Sequence, residues 1–555
     1  MFKKIIFLIN WTGKKPDHVA FLMILLSILG IFSGLASFLF IAQINGILTL
    51  LIEDRLTDVV MKETIFLLVL ILLMIITKRI FSLVLIKYSQ DFFWSLRIEL
   101  TKLIFKSKFL FLNRNKNRIH SAIVSDIGIL NSVFLKFIDF VISSAIVLGC
   151  IVYIGIISAK LLILILSVLS IGLYIYRVGV QKASRLLLKN RECEDHFFKH
   201  FMSILGGFKE IRLNFLKGID IMENEVVSIS KESKNLFIGA QKIFINYGIF
   251  INVFFYFLIG TIPLYLAPLL NIKGTDIVSL ILVLLFLLGP ISSLIGIVPF
   301  FNQASISMNK IYKLHKDLCV NFEINHETKN TEYSLNNFEK LEIKNLHFSY
   351  KEDNNFQVGP INFVLKKGEV IFIYGGNGSG KTSFIMLMLK LLNPSSDTIF
   401  FINDKEVEQA DLTVFIQSLF GTVFNDFYLF DKIYGNPNFD IEKFNQLLIL
   451  FELDNKVKIN GKELSTVNLS TGQRKRLALI IIILENRPVL VLDEWAADQD
   501  PIFREKFYRE ILPIFKEEGK TILAITHDDS YYDCCDKLYK MDSGKLKQQE
   551  NILLR

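Results

Sequence analysis

The sequence predicts a helical membrane domain of six transmembrane helices, followed by an α/β domain that carries a phosphate-binding loop. Six apolar runs precede residue 302, and each has the roughly 20 residues that a helix needs to cross a bilayer. From about residue 338, short apolar strands alternate with helical stretches, which indicates an α/β domain. Within that domain, residues 375–382 read GGNGSGKT and match the phosphate-loop pattern G-x-x-x-x-G-K-[ST] at every position.

Composition agrees with a membrane protein that has a second, more polar domain. The chain has 555 residues, of which 52% are hydrophobic, and the apolar excess lies almost entirely before residue 302. The net charge of +8 comes mostly from Lys and Arg beside the apolar runs, so topology explains it and no nucleic-acid partner is expected. The five cysteines form neither a disulfide framework nor a metal-ligand spacing, so we expect reduced thiols.

The change in hydropathy along the chain places the domain boundaries. We expect a transmembrane domain over residues 1–320, a polar linker over 321–337 and the α/β domain over 338–555. The six predicted spans are about 19–44, 63–86, 137–158, 161–180, 241–266 and 276–301. The connections after the second and fourth spans are interpreted as long loops rich in Lys and Arg. The positive-inside tendency places both loops and both termini in the cytoplasm.

Two cations, Lys78 and Arg79, fall inside the second predicted span, where charges are costly. One interpretation is that their long side chains reach the inner membrane interface. The alternatives are an ion pair with Asp139, at a similar depth in the third span, or a place in an aqueous cavity that accepts an acidic substrate.

The phosphate loop predicts a nucleotide site with a magnesium ion. Residues 369–374, EVIFIY, are expected to form a buried strand that leads into the loop. Glycines allow backbone N–H groups to approach phosphate oxygens, and the following helix adds the positive end of its dipole. We expect Lys381 to contact the β- and γ-phosphates of ATP, and the Thr382 hydroxyl to bind Mg²⁺. The candidate ATP-binding residues here are Gly375, Gly376, Asn377, Gly378, Ser379, Gly380, Lys381, Thr382 and Ser383.

A second apolar strand, residues 489–492, ends in the acidic pair Asp493 and Glu494. We expect Asp493 to bind the magnesium ion and Glu494 to act as the general base that polarises the attacking water. His527 follows a third apolar strand, TILAIT, and is expected to contact the γ-phosphate. Each of these features alone is commonly structural, and it is their order along the chain that favours a hydrolytic site.

Residues 469–473 read LSTGQ and complete a set of motifs that resembles the ATP-binding-cassette (ABC) transporters over essentially the whole chain. LSTGQ stands where that family has the signature LSGGQ, which closes over ATP held by the phosphate loop of a second subunit. The resemblance therefore implies an exporter-type dimer, either of two copies of this chain or of this chain with a related half-transporter. It also implies that Tyr350 stacks on adenine and that Asp500 belongs to the loop after the catalytic glutamate. The signature residues are Ser470, Thr471, Gly472 and Gln473.

A narrower resemblance concerns the cargo. The segments LSTGQRKRLAL (469–479) and LDEWAADQDP (492–501) look like those of the bacterial cyclic-peptide and peptide-siderophore exporters, the pyoverdine and syringomycin type. Most other exporters of the wider family have DEATSALD after the strand, so Trp495 and the run that follows it are distinctive. VFNDFYLF (423–430) and GGFKEIRLN (206–214) also resemble patterns of this group.

The sequence departs from the wider family at two places. Asn425 stands where a glutamine usually contacts magnesium; it is one methylene shorter, which leaves direct contact and a bridging water as alternatives. The segment NGKELSTV (460–467) replaces the TEVGERG-type segment of multidrug exporters, so coupling between the two domains is expected to differ in detail.

The resemblance implies ATP-driven export of a peptide-like molecule, cyclic or of siderophore type, across the bacterial cytoplasmic (inner) membrane, with ATP and Mg²⁺ as cofactors. A lipid or multidrug flippase of the same architecture is the first alternative. An ATP-regulated channel or sensor is the second. Glu494 and His527 argue against that second alternative, because a gate that does not hydrolyse ATP needs no general base.

Overall fold

The computed structural model describes most of the chain, namely residues 16–52, 60–266, 274–322, 338–349, 356–407, 409–436 and 439–549. These residues divide into two compact units. The first, the membrane unit, contains the described residues up to Phe105 and those from Arg114 to Phe322. The second, the cassette unit, contains Lys106–Asn113 and the described residues after Phe322. Most of the predicted linker, and Tyr350, lie outside the described residues.

Six helices in the membrane unit are long and apolar enough to cross a bilayer, which confirms the predicted number of spans. Apolar side chains such as Phe81, Ile154 and Leu284 are buried where these helices meet. Ser158 alone separates the third helix from the fourth, and its hydroxyl oxygen accepts a hydrogen bond from the Leu161 N–H at 3.4 Å. Ser158 therefore both ends one span and caps the next. The six helices are Pro16–Ile52, Val60–Phe105, Ile127–Ile157, Ala159–Gly206, Ser228–Thr261 and Gly274–Val320.

The two basic connections are helical, which corrects the expectation of long loops. The second helix continues to Phe105 and the fourth to Gly206, well beyond the predicted spans. A drop in hydropathy marks where a helix leaves the membrane, whereas the Leu, Lys, Arg and Glu of these stretches keep a high helix propensity. Shorter helical segments form much of the remainder of the membrane unit and its borders, namely Phe109–Ser121, Ala122–Asp126, Phe208–Leu213, Phe215–Asp220 and Ile221–Val227. A π-helical segment, Ile262–Leu266, follows the fifth span.

Lys78 and Arg79 lie exposed on the second helix, and among the described residues neither forms an ion pair with Asp139. Asp139 pairs instead with Lys136, whose Nζ lies 3.7 Å from Asp139 Oδ2. These two residues are three positions apart on one helix and therefore share a face. The alternative that pairs Asp139 with the cations of the second span is thus wrong.

The cassette unit is an α/β domain, as predicted. Its strands are β1 (Lys340–Ser349), β2 (Gln357–Lys366), β3 (Val370–Tyr374), β4 (Ile399–Ile402), β5 (Lys405–Glu406), β6 (Phe420–Val423), β7 (Ile459–Asn460), β8 (Glu463–Leu464), β9 (Val489–Asp493), β10 (Thr521–Ile525), β11 (Lys537–Asp542) and β12 (Lys545–Gln548). Its helical segments are Lys381–Met388, Gln409–Leu419, Ile441–Leu450, Thr471–Leu484, Ala496–Asp498, Pro501–Lys506, Phe507–Ile511, Leu512–Glu517 and Asp529–Cys534.

The larger sheet of this unit brings the predicted site residues to one edge. Its order is β12-β11-β3-β10-β9-β6, and every neighbouring pair except β11 and β12 is parallel. Ile525 of β10 is the register partner of both Ile373 on β3 and Asp493 on β9. The loop after β3, the acids that end β9 and the residues after β10 therefore meet at the carboxyl edge of the sheet, where α/β proteins bind ligands. The smaller strands form an antiparallel sheet, β2-β1-β4-β5, and a β7-β8 hairpin.

Candidate active site

The phosphate loop joins β3 to the helix Lys381–Met388 by a backbone that only glycine adopts readily. Gly378 has φ +75° and Gly380, the N-cap of the helix, has φ +104°. The Ser379 hydroxyl is buried and contacts no hydrogen-bond partner among the described residues. A buried polar group without a partner is costly, so a ligand oxygen that pairs with it would stabilise the site. The loop therefore fits a phosphate group.

Lys381 lies at the base of this loop with its side chain buried. Its ammonium donates hydrogen bonds to the carbonyl oxygens of Gly375 at 2.8 Å and Gly376 at 3.2 Å. The same nitrogen lies 3.9 Å from Glu494 Oε1, so it faces the acidic end of β9. A cation held in this position can bind phosphate oxygens with little reorganisation.

Thr382 and Asp493 bring two potential metal-ligand oxygens together, one from the helix Lys381–Met388 and one from the end of β9. The Thr382 hydroxyl donates to Asp493 Oδ2 at 3.3 Å. Burial, and next the neighbouring Glu494 carboxylate, raise the pKa of Asp493 to about 6, against the opposing effect of Thr382. Mg²⁺ prefers hard oxygen ligands and typically uses one or two carboxylates together with substrate phosphates. The side chains present therefore fit a magnesium ion.

Glu494 lies between His527 and Asn425. Its Oε1 is 3.4 Å from His527 Nε2, and its Oε2 is 3.5 Å from Asn425 Nδ2. Its backbone has φ +51°, a left-handed conformation that is costly for a residue with a side chain. Its N–H donates to the Ile525 carbonyl at 3.1 Å, which fixes that conformation to β10. Strain of this kind is concentrated at functional sites.

The signature residues begin a helix that is capped by its own sequence. Ser470 Oγ accepts from the Gln473 N–H at 3.4 Å, and Gln473 Oε1 accepts from the Ser470 N–H at 3.3 Å. The Gly472 carbonyl accepts from Gln499 Nε2 at 3.2 Å. Elsewhere in the described part of the chain, the Ser470 carbonyl accepts from the Arg474 N–H at 2.8 Å, and no hydrogen bond joins the signature to residues 375–382 of the phosphate loop. The signature and the phosphate loop of one chain are therefore separate groups of residues.

Arg476 connects Asp500 to the helix Thr471–Leu484, which begins at the signature. Arg476 donates to Gln499 Oε1 at 2.8 Å and to Asp500 Oδ2 at 2.7 Å. Its guanidinium also lies 3.4 Å from the centroid of the Phe503 ring. Asp500 Oδ1 in turn accepts from the Phe503 N–H at 3.0 Å and caps the helix Pro501–Lys506.

Sequence reasoning missed Lys475, which follows the signature. Its side chain is buried, although lysine is almost never fully buried without partners. Trp495, singled out from the sequence only as a distinguishing residue, donates its indole N–H to the Lys475 carbonyl at 2.8 Å and packs against Phe507 at 4.3 Å between ring centroids. The signal available in the sequence was the run Arg474–Arg476 at the start of an otherwise apolar helix.

Fold and site together define an ATP-hydrolysing cassette joined to a six-helix membrane domain, and comparison with known proteins agrees. A family model described as "ABC transporter" matches residues 358–497. The "ATP-binding protein SyrD" of Pseudomonas syringae pv. syringae is 30% identical over 455 residues, which cover 78% of each chain. The "Energy-coupling factor transporter ATP-binding protein EcfA3" of Clostridium perfringens is 32% identical over 222 residues, 38% of this chain and 77% of its own.

A solved structure shares the fold over nearly the full length. It is described as "Structure of a bacterial Atm1-family ABC exporter with ATP bound", with a TM-score of 0.77 and 14% identity, and it covers 95% of this chain and 94% of its own. The chain belongs to the ABC transporter family, as an ABC exporter half-transporter. It is a multi-pass membrane protein that binds ATP and couples ATP hydrolysis to transport.

Proposed function

We propose that this half-transporter exports a peptide-like molecule, cyclic or of siderophore type, across the bacterial cytoplasmic membrane with both termini in the cytoplasm. The observation that carries the proposal is the similarity to SyrD over 78% of this chain, together with the resemblance of the Trp495 segment to the peptide exporters. That segment is part of the architecture of the site, because Trp495 is buried and bonded to the helix that follows the signature. The working dimer is proposed to contain two copies of this chain, with a related half-transporter as the alternative partner.

The proposed mechanism assigns one task to each residue of the site. Lys381 and the N–H groups of the phosphate loop hold the phosphates of ATP, while Tyr350 stacks on the adenine. Thr382 and Asp493 would hold Mg²⁺, which would supply positive charge beside the transferred phosphoryl group. Glu494 accepts a proton from the attacking water, and His527 donates a hydrogen bond to the γ-phosphate. The partner subunit supplies its signature and the loop that contains Asp500 to the same ATP.

A cavity in the membrane unit supports a peptide-like cargo. It has a volume of about 440 Å³ and lies between the fifth and sixth spans. Its polar lining consists of the amide and hydroxyl side chains of Gln241, Asn252, Ser292 and Gln303. None of the described lining residues is charged. Amides can both donate to and accept from peptide groups. Apolar side chains such as Phe237 and Phe300 line the rest, which suits a ligand with mixed polarity.

Transport by the full chain in lipid vesicles tests this proposal. Inside-out proteoliposomes are expected to accumulate a neutral cyclic peptide when ATP and Mg²⁺ are added, and the same peptide is expected to stimulate ATP hydrolysis. Gln241→Leu is expected to reduce that stimulation because it removes an amide from the cavity. Gln90→Leu is the matched control, since Gln90 bonds Asn131 at 3.1 Å and does not line the cavity.

Two results would contradict the proposal, one against a peptide cargo and one against this cavity as its binding site. Movement of a fluorescent lipid or of hydrophobic cations without any peptide transport would favour the flippase alternative. Equal peptide stimulation in Gln241→Leu and in the control would exclude this cavity as the peptide site.

A further inference from the structure

The buried ammonium of Lys475 contacts three oxygen atoms on two segments of the cassette unit, the one after β6 and the one after β9. Its Nζ lies 3.0 Å from Asn425 Oδ1, 2.8 Å from the backbone carbonyl of Glu494 and 2.7 Å from Asp498 Oδ2. The side chain is only 1% exposed, so water does not replace these contacts. An ammonium has three N–H donors, and each has an acceptor here.

Lys475 decides which way the Asn425 amide points. A lysine ammonium donates hydrogen bonds and accepts none, so only the carbonyl oxygen of the amide can face it. The NH₂ group of Asn425 must then point to the other side, where Glu494 Oε2 lies at 3.5 Å. This orientation follows from chemistry and does not depend on distinguishing oxygen from nitrogen in the amide.

Asp498 supplies the charge that makes a buried lysine tolerable at this place. An unpaired buried ammonium is strongly destabilising, and a buried pair is tolerated when its geometry satisfies every donor. The Lys475 backbone is fixed as well, because its carbonyl accepts from the Trp495 indole. The ammonium therefore cannot move away from Asn425 without leaving a donor unmet.

We propose that Lys475 is a positioning residue which directs the Asn425 amide N–H to the carboxylate of Glu494. Asn425 then acts on the general base, and it does not use its oxygen as a ligand of Mg²⁺. A donor beside the carboxylate holds it in one orientation, which positions Glu494 to accept the proton of the attacking water. This inference rests on the proposed role of Glu494, and it replaces the magnesium contact that the sequence suggested for Asn425.

The first test uses Asn425→Ala in the full-length protein, reconstituted in lipid. Asn425 is exposed, so the variant is expected to fold. The proposal predicts that kcat falls about tenfold, as expected for loss of a hydrogen bond to a charged group. It also predicts that the KM for ATP stays unchanged, because the phosphate loop that holds the nucleotide is not altered. The Mg²⁺ concentration for half-maximal activity is expected to stay unchanged.

The second test asks whether Lys475 acts through Asn425. Lys475→Met keeps the length of the side chain and removes the donors. It is expected to lower kcat and leave the KM for ATP unchanged, as in Asn425→Ala. The double variant is expected to match Asn425→Ala alone, because both changes remove one interaction. Lys506→Met is the control, since Lys506 forms an ion pair with Glu452 at 2.7 Å on the surface of the same unit.

Two outcomes overturn the proposal. A higher Mg²⁺ requirement in Asn425→Ala would show that Asn425 binds the metal ion. Additive losses in the double variant would make Lys475 a structural residue only. If Lys475→Met fails to fold, the kcat and the Mg²⁺ requirement of Asn425→Ala still decide the role of Asn425. Full activity of Glu494→Gln in the same assay would instead contradict the proposed hydrolytic site, so the two failures are distinguishable.

Discussion

Glu494 Oε1 and His527 Nε2 lie 3.4 Å apart at the carboxyl edge of the parallel sheet. One residue follows β9 and the other follows β10, and these strands are paired in parallel with Asp493 opposite Ile525. Thirty-three positions of chain separate the two side chains, yet the register of the sheet alone brings them together. A proton acceptor and a group that can bind a phosphate are thereby fixed on one rigid element, as hydrolysis requires.

Replacement of Glu494 by glutamine tests this assignment most directly. An amide has the same shape but cannot take a proton from water, so kcat is expected to fall about 10²–10⁴-fold, the usual contribution of a general base. Binding of a fluorescent ATP analogue should be retained, because Lys381 and the phosphate loop are unchanged. Near-normal hydrolysis in the purified full-length variant would show that the base lies elsewhere.

Contiguous features of the chain were predictable, and contacts between distant residues were not. The phosphate loop and the six spans are local patterns, and both have the predicted structure. The extension of the second helix to Phe105 was missed because hydropathy reports the membrane boundary and not the end of a helix. Lys475 was missed because its three acceptors lie on segments up to 50 positions away, and a lysine in a basic run is usually solvated.

A mixed dimer can show whether the signature of one subunit serves the ATP of the other. Ser470→Ala is placed in one chain and Lys381→Ala in its partner, and then both changes are placed in the same chain opposite an unmodified one. Suppose that each ATP site combines the phosphate loop of one subunit with the signature of the other. The first arrangement then inactivates one site and leaves the other intact, whereas the second inactivates both.

ATP hydrolysis by the two preparations decides the matter. Activity is expected in the dimer with one change per chain and is expected to be lost when both changes share a chain. The reverse order would mean that each chain completes its own site. Ser470→Ala is preferred to Gly472→Asp, because a Cβ at Gly472 would lie 2.6 Å from the Asp498 carbonyl oxygen and disturb its own chain.

The raised pKa of Asp493 predicts how stability depends on pH when nucleotide and metal are removed with a chelator. Its pKa is about 6 in the folded protein, against an ordinary value of 3.8, so stability is lost as the pH rises from 3.8 through 6. The cost is on the order of 3 kcal/mol well above that pH and vanishes below the unfolded value. Asp493→Asn carries no charge and is expected to raise the thermal midpoint about twice as much at pH 8 as at pH 5, where roughly half of the cost remains. Equal effects at the two pH values would indicate an ordinary pKa.

Trp495 is expected to hold the signature helix against the segment that follows β9. Its side chain is 1% exposed, and its indole N–H donates to the Lys475 carbonyl. Trp495→Ala should cost about 3–5 kcal/mol of unfolding free energy, the usual loss for a buried aromatic residue. Tyr428→Ala is the control, because Tyr428 is exposed. Thermal unfolding of the full chain in detergent measures both, and equal midpoints for the two variants would contradict a core role for Trp495.

The ion pair between Lys136 and Asp139 predicts that Asp139 interacts with Lys136 and not with Lys78. Asp139 lies 3.7 Å from Lys136 on the same helix, while Lys78 and Arg79 are exposed on the second helix. Asp139→Asn combined with Lys136→Met is therefore expected to show a coupling energy of about 0.5–1 kcal/mol in a double-mutant cycle. Asp139→Asn combined with Lys78→Met is expected to be additive, because residues without contact seldom couple. The yield and thermal midpoint of purified protein measure both cycles. Coupling with Lys78 and additivity with Lys136 would show that in the bilayer Asp139 faces the second helix and not its own neighbour.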